Sequence, residues 1–244
     1  MTTETKQLWK QLADHVYPYD DISSSLRNRF YLERLRRFVQ EHERPVFINL
    51  GAGFSSYPFL LQNDCSCIEV DLKRIVDYKR ERIKHWQHEG FLPQRSIEFL
   101  AADLTSDADQ KRLEEALVLS CQGQTSFILM EGLTYYLSAA ILQKLLGMFR
   151  RYQTPGSLLA FEYWTPDADT YPVFVRLKDY LARYFGQTRP DYNLFDEALV
   201  SSIPDYKVQE SANIAEQEIA YSSTRLLQDR NNRLPIQFAV LSRA

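Results

Sequence analysis

The sequence predicts an α/β, Rossmann-like fold: a mostly parallel seven-stranded sheet with helices on both faces, finished by an antiparallel hairpin. Three observations predict it. Short apolar runs that read as buried strands alternate with helical patterns between residues 46 and 163. The first run, VFINL, leads into Gly51-Ala52-Gly53, and the second, CIEVD, ends on the carboxylate of Asp71. Beyond residue 166 the alternation stops, and two segments able to form a last pair of strands remain.

The elements follow in order. Residues 1–44 read as a helical cap, because Leu26, Phe30, Leu35, Phe38 and Val39 recur at near-helical spacing, with Ser23 to Ser25 as candidate caps. Strands are expected at 46–50, 66–70, 96–100, 126–130 and 158–163, and helices at 73–89, 107–119 and 138–153. The last helix is the clearest, opened by Ser138 and carrying Ile141, Leu145, Met148 and Tyr152 on one face. Residues 166–186 are aromatic-rich and read as a helix that Gly186 closes. Residues 206–220 and 236–241 are expected to pair as the final strands. The whole is read as one domain over 1–244: cap 1–44, ligand-binding core 45–165, and a substrate-side helix with final strands over 166–244.

Composition narrows the function. A chain of 244 residues that is 45% hydrophobic can bury one sizeable core. A net charge of −3 announces no nucleic-acid-binding face, and the basic run Arg27, Arg29, Arg34, Arg36, Arg37 reads first as a solvated helix face. No apolar stretch approaches ~20 residues and no signal-peptide core is evident, so a cytoplasmic protein without a membrane segment is expected. A monomer is the default. The three cysteines, Cys65, Cys67 and Cys121, are expected to be reduced packing residues, and no metal site is expected.

The candidate site residues lie at the strand ends. Gly51 and Gly53 allow a tight turn and close backbone approach to a ligand; a dinucleotide fingerprint would want a third glycine where Ser56 stands. Asp71, eighteen residues beyond Gly53, is placed to accept from both hydroxyls of a ribose, or to cap the helix that follows. Glu69, on the same strand face, is expected among polar groups at the sheet margin. At the end of the third strand, Asp103 can accept from the exocyclic amine of an adenine while Leu104 covers the ring, or else serve as a turn residue. Glu131 ends the fourth strand before Gly132 and the Tyr135–Tyr136 pair, where a carboxylate would meet an ammonium group.

The set VFINLGAG, IEVDLKRIVDYKRERI, AADL and MEGLTYYLS resembles the leucine carboxyl methyltransferase family, over roughly residues 24–152. The resemblance implies a class I methyltransferase fold, S-adenosylmethionine as cofactor, and cofactor contacts from Gly51, Gly53, Asp71, Asp103, Leu104 and Glu131. It also implies an arginine for the cofactor's carboxylate, for which R-N-R offers Arg27 or Arg29, Arg27 being preferred. Tyr136, matching the family tyrosine, is the candidate for substrate contact or methyl positioning. Two departures stand out: Ser55-Ser56 replaces Asp-Thr, and Leu60 stands near where an arginine is usual.

The expected activity is therefore O-methylation of a carboxylate on a small molecule or peptide terminus. A carboxylate is already ionised at neutral pH, and none of the four histidines, His15, His42, His85 and His88, falls at a strand end to act as a base. Two alternatives stay open: an NAD(P)-dependent oxidoreductase with a degenerate glycine loop, and a non-catalytic S-adenosylmethionine-binding regulator.

Overall fold

The computed structural model describes residues 3–62, 64–185 and 192–244. Seven strands form one sheet: β1 (Val46–Leu50), β2 (Ser66–Asp71), β3 (Ile97–Ala101), β4 (Ser126–Met130), β5 (Leu158–Trp164), β6 (Tyr206–Asn213) and β7 (Ile236–Arg243). Their order is β3-β2-β1-β4-β5-β7-β6. The first five are parallel, whereas β7 runs antiparallel to both β5 and β6. This is the class I methyltransferase architecture, and the five parallel strands lie where the apolar runs predicted them.

The helices are α1 (Thr3–Gln11), α2 (Asp20–Glu41), α3 (Tyr57–Leu60), α4 (Lys73–His88), α5 (Asp107–Cys121), α6 (Ala139–Tyr152), α7 (Pro172–Phe185), α8 (Glu197–Ser201) and α9 (Ile214–Tyr221). They sandwich the sheet because successive side chains of a buried strand face opposite ways. From β1, Phe47 joins the layer under α2 with Phe30, Phe38 and Phe127, while Ile48 and Leu50 join the layer under α5 and α6 with Leu117, Leu145 and Phe149. All five residues of β1 are buried. The predicted apolar stripe of α2 is likewise buried, from Leu26 to Val39.

Four expectations need correction. Helix α2 starts at Asp20, so Ser23 to Ser25 lie inside it, and the Ser25 hydroxyl donates to the Asp21 carbonyl (2.7 Å) instead of capping. Asp20 and Asp21 hold the first turn, where negative charge suits the helix dipole. The segment 206–220 is not one strand. It breaks at Asn213, whose side chain accepts from the amides of Ala215 and Glu216 (both 3.0 Å) while Glu216 accepts from the Asn213 amide (2.8 Å). That reciprocal cap starts α9. Glu69 is not at the sheet margin: it is buried and ion-paired with Lys79 of α4 at 2.6 Å. Finally, the aromatic segment becomes helical only at Pro172, after a 3-10 turn at Ala168–Thr170. Gly186 lies outside the described residues.

The basic run is not simply a solvated face. Arg34 ion-pairs with Glu210 of β6, its Nε reaching Oε2 at 3.0 Å, and Arg36 donates to the Leu60 carbonyl (2.9 Å). These guanidinium groups bind α2 to neighbouring elements. The cysteines are free, with Cys67 and Cys121 buried and Cys65 half-buried.

Candidate cofactor site at the strand ends

The carboxyl ends of β1 to β5 lie along one edge of the sheet, and most of the candidate residues stand there. At β1 the chain turns with Gly51 at φ +65° and Gly53 at φ +47°, conformations that L side chains resist. A Cβ on Gly51 would stand 3.2 Å from the Leu133 side chain, so the turn after β4 lies directly against the glycine loop. The Gly51 and Ala52 amides donate to the Val70 carbonyl (2.9 and 3.1 Å), locking the loop to β2.

Asp71 is the hinge of the next contact. Its Oδ2 accepts from the Gly53 amide (2.8 Å) and its Oδ1 from the Leu72 amide (2.7 Å). The helix cap is Leu72, so Asp71 is not spent on capping; it fixes the glycine loop with one acceptor bond on each oxygen. The Ala102 amide donates to the Asp71 carbonyl (2.9 Å), which brings the β3 end beside it. There Asp103 accepts from the Thr105 amide (2.8 Å) and hydroxyl (2.7 Å), bonds that hold its carboxyl below the usual range. Its turn role is therefore real, and Leu104 beside it is buried.

The densest part of the site is built on Arg27. Its Nε donates to Glu131 Oε1 (2.7 Å) and its Nη1 to Glu162 Oε1 (3.1 Å). Glu131 also accepts from Asn28 and, on Oε2, from the Tyr57 hydroxyl (2.7 Å). Glu162 Oε1 accepts in addition from the Gly132 amide (3.0 Å) and the Tyr135 hydroxyl (2.9 Å). Burial opposes the charge on Arg27, and the two carboxylates more than restore it. Burial pushes the Glu162 carboxyl up, against the pull of Arg27. Arg29, the other arginine considered, pairs instead with Glu33 (2.9 Å) and lies over the Tyr221 ring, outside this cluster.

Sequence reasoning missed Glu162, Asn28 and Tyr57, and marked Tyr135 only as half of the tyrosine pair after Glu131, without its bond to Glu162. Glu162 had one signal: it is the single acid inside the apolar run LLAFEYW. Tyr136 stands at the rim, 65% exposed, its ring edge-on to Tyr135 at 4.9 Å. Tyr135 in turn stacks flat on Trp164 (4.1 Å). Beside the cluster, on the α2–α3 side, a cavity of about 400 Å³ is lined by Asn28, Arg29, Phe54, Ser55, Tyr57 and Leu60.

The donor set suits an amino acid joined to a nucleoside. A guanidinium complements a carboxylate, Glu131 complements an ammonium, and Asp71 complements a diol. Among the described residues Glu162 Oε2 is enclosed without a hydrogen-bond partner, so the cluster carries acceptor capacity that these residues leave unused.

Comparison with known proteins identifies the family and the fold. The family model for leucine carboxyl methyltransferase matches residues 5–150. Among curated proteins, none matches this sequence. Similar solved structures include a provisionally named methyltransferase from Thermobifida fusca, with 13% identity, TM-score 0.72, and coverage of 99% of this chain and 89% of that one. A DUF574 family protein from Streptomyces avermitilis has 12% identity, TM-score 0.62, and coverage of 98% and 90%. The magnesium protoporphyrin IX methyltransferase of Synechocystis, solved with S-adenosylhomocysteine bound, has 10% identity, TM-score 0.55, and coverage of 99% and 95%. At these identities the structures speak to the fold.

Proposed function

Because the chain belongs to the leucine carboxyl methyltransferase family, and is an S-adenosylmethionine-dependent methyltransferase, we propose that it methylates a carboxylate oxygen of a small molecule or a peptide terminus. The observation that carries the reading is the Arg27–Glu131 pair, a half-buried cation and anion set 2.7 Å apart beside the ends of β1 and β4. Arg27 would hold the cofactor's carboxylate and Glu131 its ammonium. Asp71 would hold the ribose hydroxyls, Asp103 and Leu104 the adenine, and Gly51 and Gly53 would let the backbone pass close beneath. Bound there, S-adenosylmethionine supplies a methyl group activated by its sulfonium.

The chain's own task is then to orient the acceptor about 3 Å from that methyl carbon and to exclude water. Tyr136, exposed at the rim and braced by Tyr135, is the side chain we assign to acceptor contact. A carboxylate acceptor is favoured by what surrounds the cluster. His15, His85 and His88 are exposed on helical segments, and the His42 ring is hydrogen-bonded to the Phe38 carbonyl (2.8 Å). Burial pushes the Tyr57 and Tyr135 phenols up, so neither takes a proton at neutral pH. An alcohol would find no histidine ready to deprotonate it, whereas a carboxylate needs none.

A nicotinamide dinucleotide fits less well. Its pyrophosphate wants a helix N-terminus after the glycine loop, and the helix there is the four-residue α3. The deciding experiment is transfer of a labelled methyl group into an extract of candidate acceptors, followed by mild base. Release of label as methanol is the expected result; a base-stable label would rule out the carboxyl ester. Cofactor binding with no transfer to any acceptor would favour the regulator reading.

A further inference from the structure

Arg27 has two carboxylate partners, and they differ in kind. Glu131 sits at the turn after β4, its side chain 10% exposed, and its other contacts are the side chains of Asn28 and Tyr57. Glu162 lies within β5, in register with Phe238 of β7, and its side chain is 0% exposed. One of the three donors on its Oε1 is the Gly132 backbone amide. The Thr134 hydroxyl also donates to the Glu162 carbonyl and the Tyr135 hydroxyl to its Oε1, so the turn that carries Glu131 is tied to Glu162 at three points. One partner can be released by side-chain rotation; the other is set in the sheet.

A ligand with both an ammonium and a carboxylate competes with Arg27 for Glu131, whose two oxygens already accept from Arg27, Asn28 and Tyr57. A guanidinium on a flexible stem, held by one carboxylate only, would then lose its aim at the moment the ligand needs it, and re-ordering it would cost affinity. We propose that Glu162 is the positioning residue that keeps Arg27 aimed while Glu131 exchanges partners, so that the cofactor's amino-acid end enters a site already formed. This rests on the reading that Arg27 and Glu131 receive that end of the cofactor. It also accounts for two carboxylates around a single guanidinium: one stays with Arg27 and the other is free to meet the ammonium. An anchor of this kind acts on the amino-acid end of a ligand and not on its nucleoside end.

The test compares two ligands that share the nucleoside: S-adenosylhomocysteine, which carries the amino-acid end, and 5′-methylthioadenosine, which lacks it. Calorimetric titration of wild type and Glu162→Gln is expected to show S-adenosylhomocysteine weakened about tenfold or more, and methylthioadenosine changed by less than about twofold. In turnover, the cofactor KM rises while kcat holds. Tyr135→Phe removes one hydroxyl from Glu162 but keeps its charge, and it decides the matter if Glu162→Gln does not fold. It is expected to weaken S-adenosylhomocysteine alone, by about threefold. Loss of affinity for both ligands alike would mark a merely structural role and overturn the proposal, as would loss for neither. Wild type that binds neither ligand would instead overturn the cofactor-site reading itself.

Discussion

Arg27 and Glu131 stand 104 residues apart in the chain and 2.7 Å apart in space. Helix α2 and the end of β4 thus depend on each other, and the cap cannot leave the sheet without exposing two carboxylates. Arg27→Ala would leave both Glu131 and Glu162 without their cation. The expected cost is roughly 3–5 kcal/mol of unfolding free energy, read from denaturant melts at neutral pH. Arg27→Lys keeps the charge but not the fork that reaches both acids. It should fold better than the alanine variant and still bind S-adenosylhomocysteine about tenfold more weakly than wild type, by calorimetry.

The glycine loop makes a separate prediction. Gly51 combines φ +65° with a Leu133 side chain 3.2 Å from any added Cβ. Gly51→Ala should lose roughly 1–2 kcal/mol from the backbone alone. Adding Leu133→Ala relieves the steric contact and not the dihedral, so the double variant should recover S-adenosylhomocysteine affinity only in part. Full recovery would show that the side-chain contact, and not the backbone, is what forbids a residue there.

Glu218 sets the acid response of the α9 corner. It is buried, and its carboxylate accepts from the Leu226 amide (2.7 Å), the Leu227 amide (3.0 Å), the Thr224 hydroxyl (2.9 Å) and the Gln228 amide group (3.0 Å). Burial by itself would raise its pKa, and these donors bring it below the usual range. The folded value being the lower one, its contribution is complete above the ordinary carboxyl pKa of about 4.3 and is lost as pH falls through the folded value. Glu218→Gln should therefore cost roughly 2–4 kcal/mol at pH 7. The gap from wild type should narrow as pH falls below about 4.3 and close below the folded value, in urea melts taken across that range.

Thiol reactivity should separate the cysteines. Cys65 is half-buried, with its Sγ 3.4 Å from that of Cys67. Hydrogen bonding from Cys67 lowers the Cys65 pKa, while the same contact and burial push Cys67 up. Burial takes Cys121 up to about 12. Timed iodoacetamide labelling with peptide mapping at neutral pH should modify Cys65 first. Early labelling of Cys121 would contradict the packing around α5.

Much of this was legible in the chain. The parallel strands declared themselves as apolar runs because both their faces are covered, and the glycine loop, Asp71 and Glu131 fell at strand ends, where position alone suggests a ligand. Glu162 was hidden for a physical reason. Its meaning comes from Arg27, more than a hundred residues away, and an acid within an apolar strand looks locally like any polar position of an alternating one. The Glu69–Lys79 pair was hidden in the same way, since a strand and the next helix must pack before the two meet. The break at Asn213 is different: N-x-x-E is a local capping signal, and it outweighs the weak strand preference of the residues that follow.

The placement of β7 between β5 and β6 has a consequence for how the molecule is made. On the ribosome, β5 emerges long before the strand that will cover its open edge, and until residues 236–243 arrive the interior row of Phe161, Glu162 and Tyr163 has no neighbour on that side. Synthesis thus leaves the half-built sheet with a bare flank, open to mispairing with other nascent chains, until its last strand is threaded in.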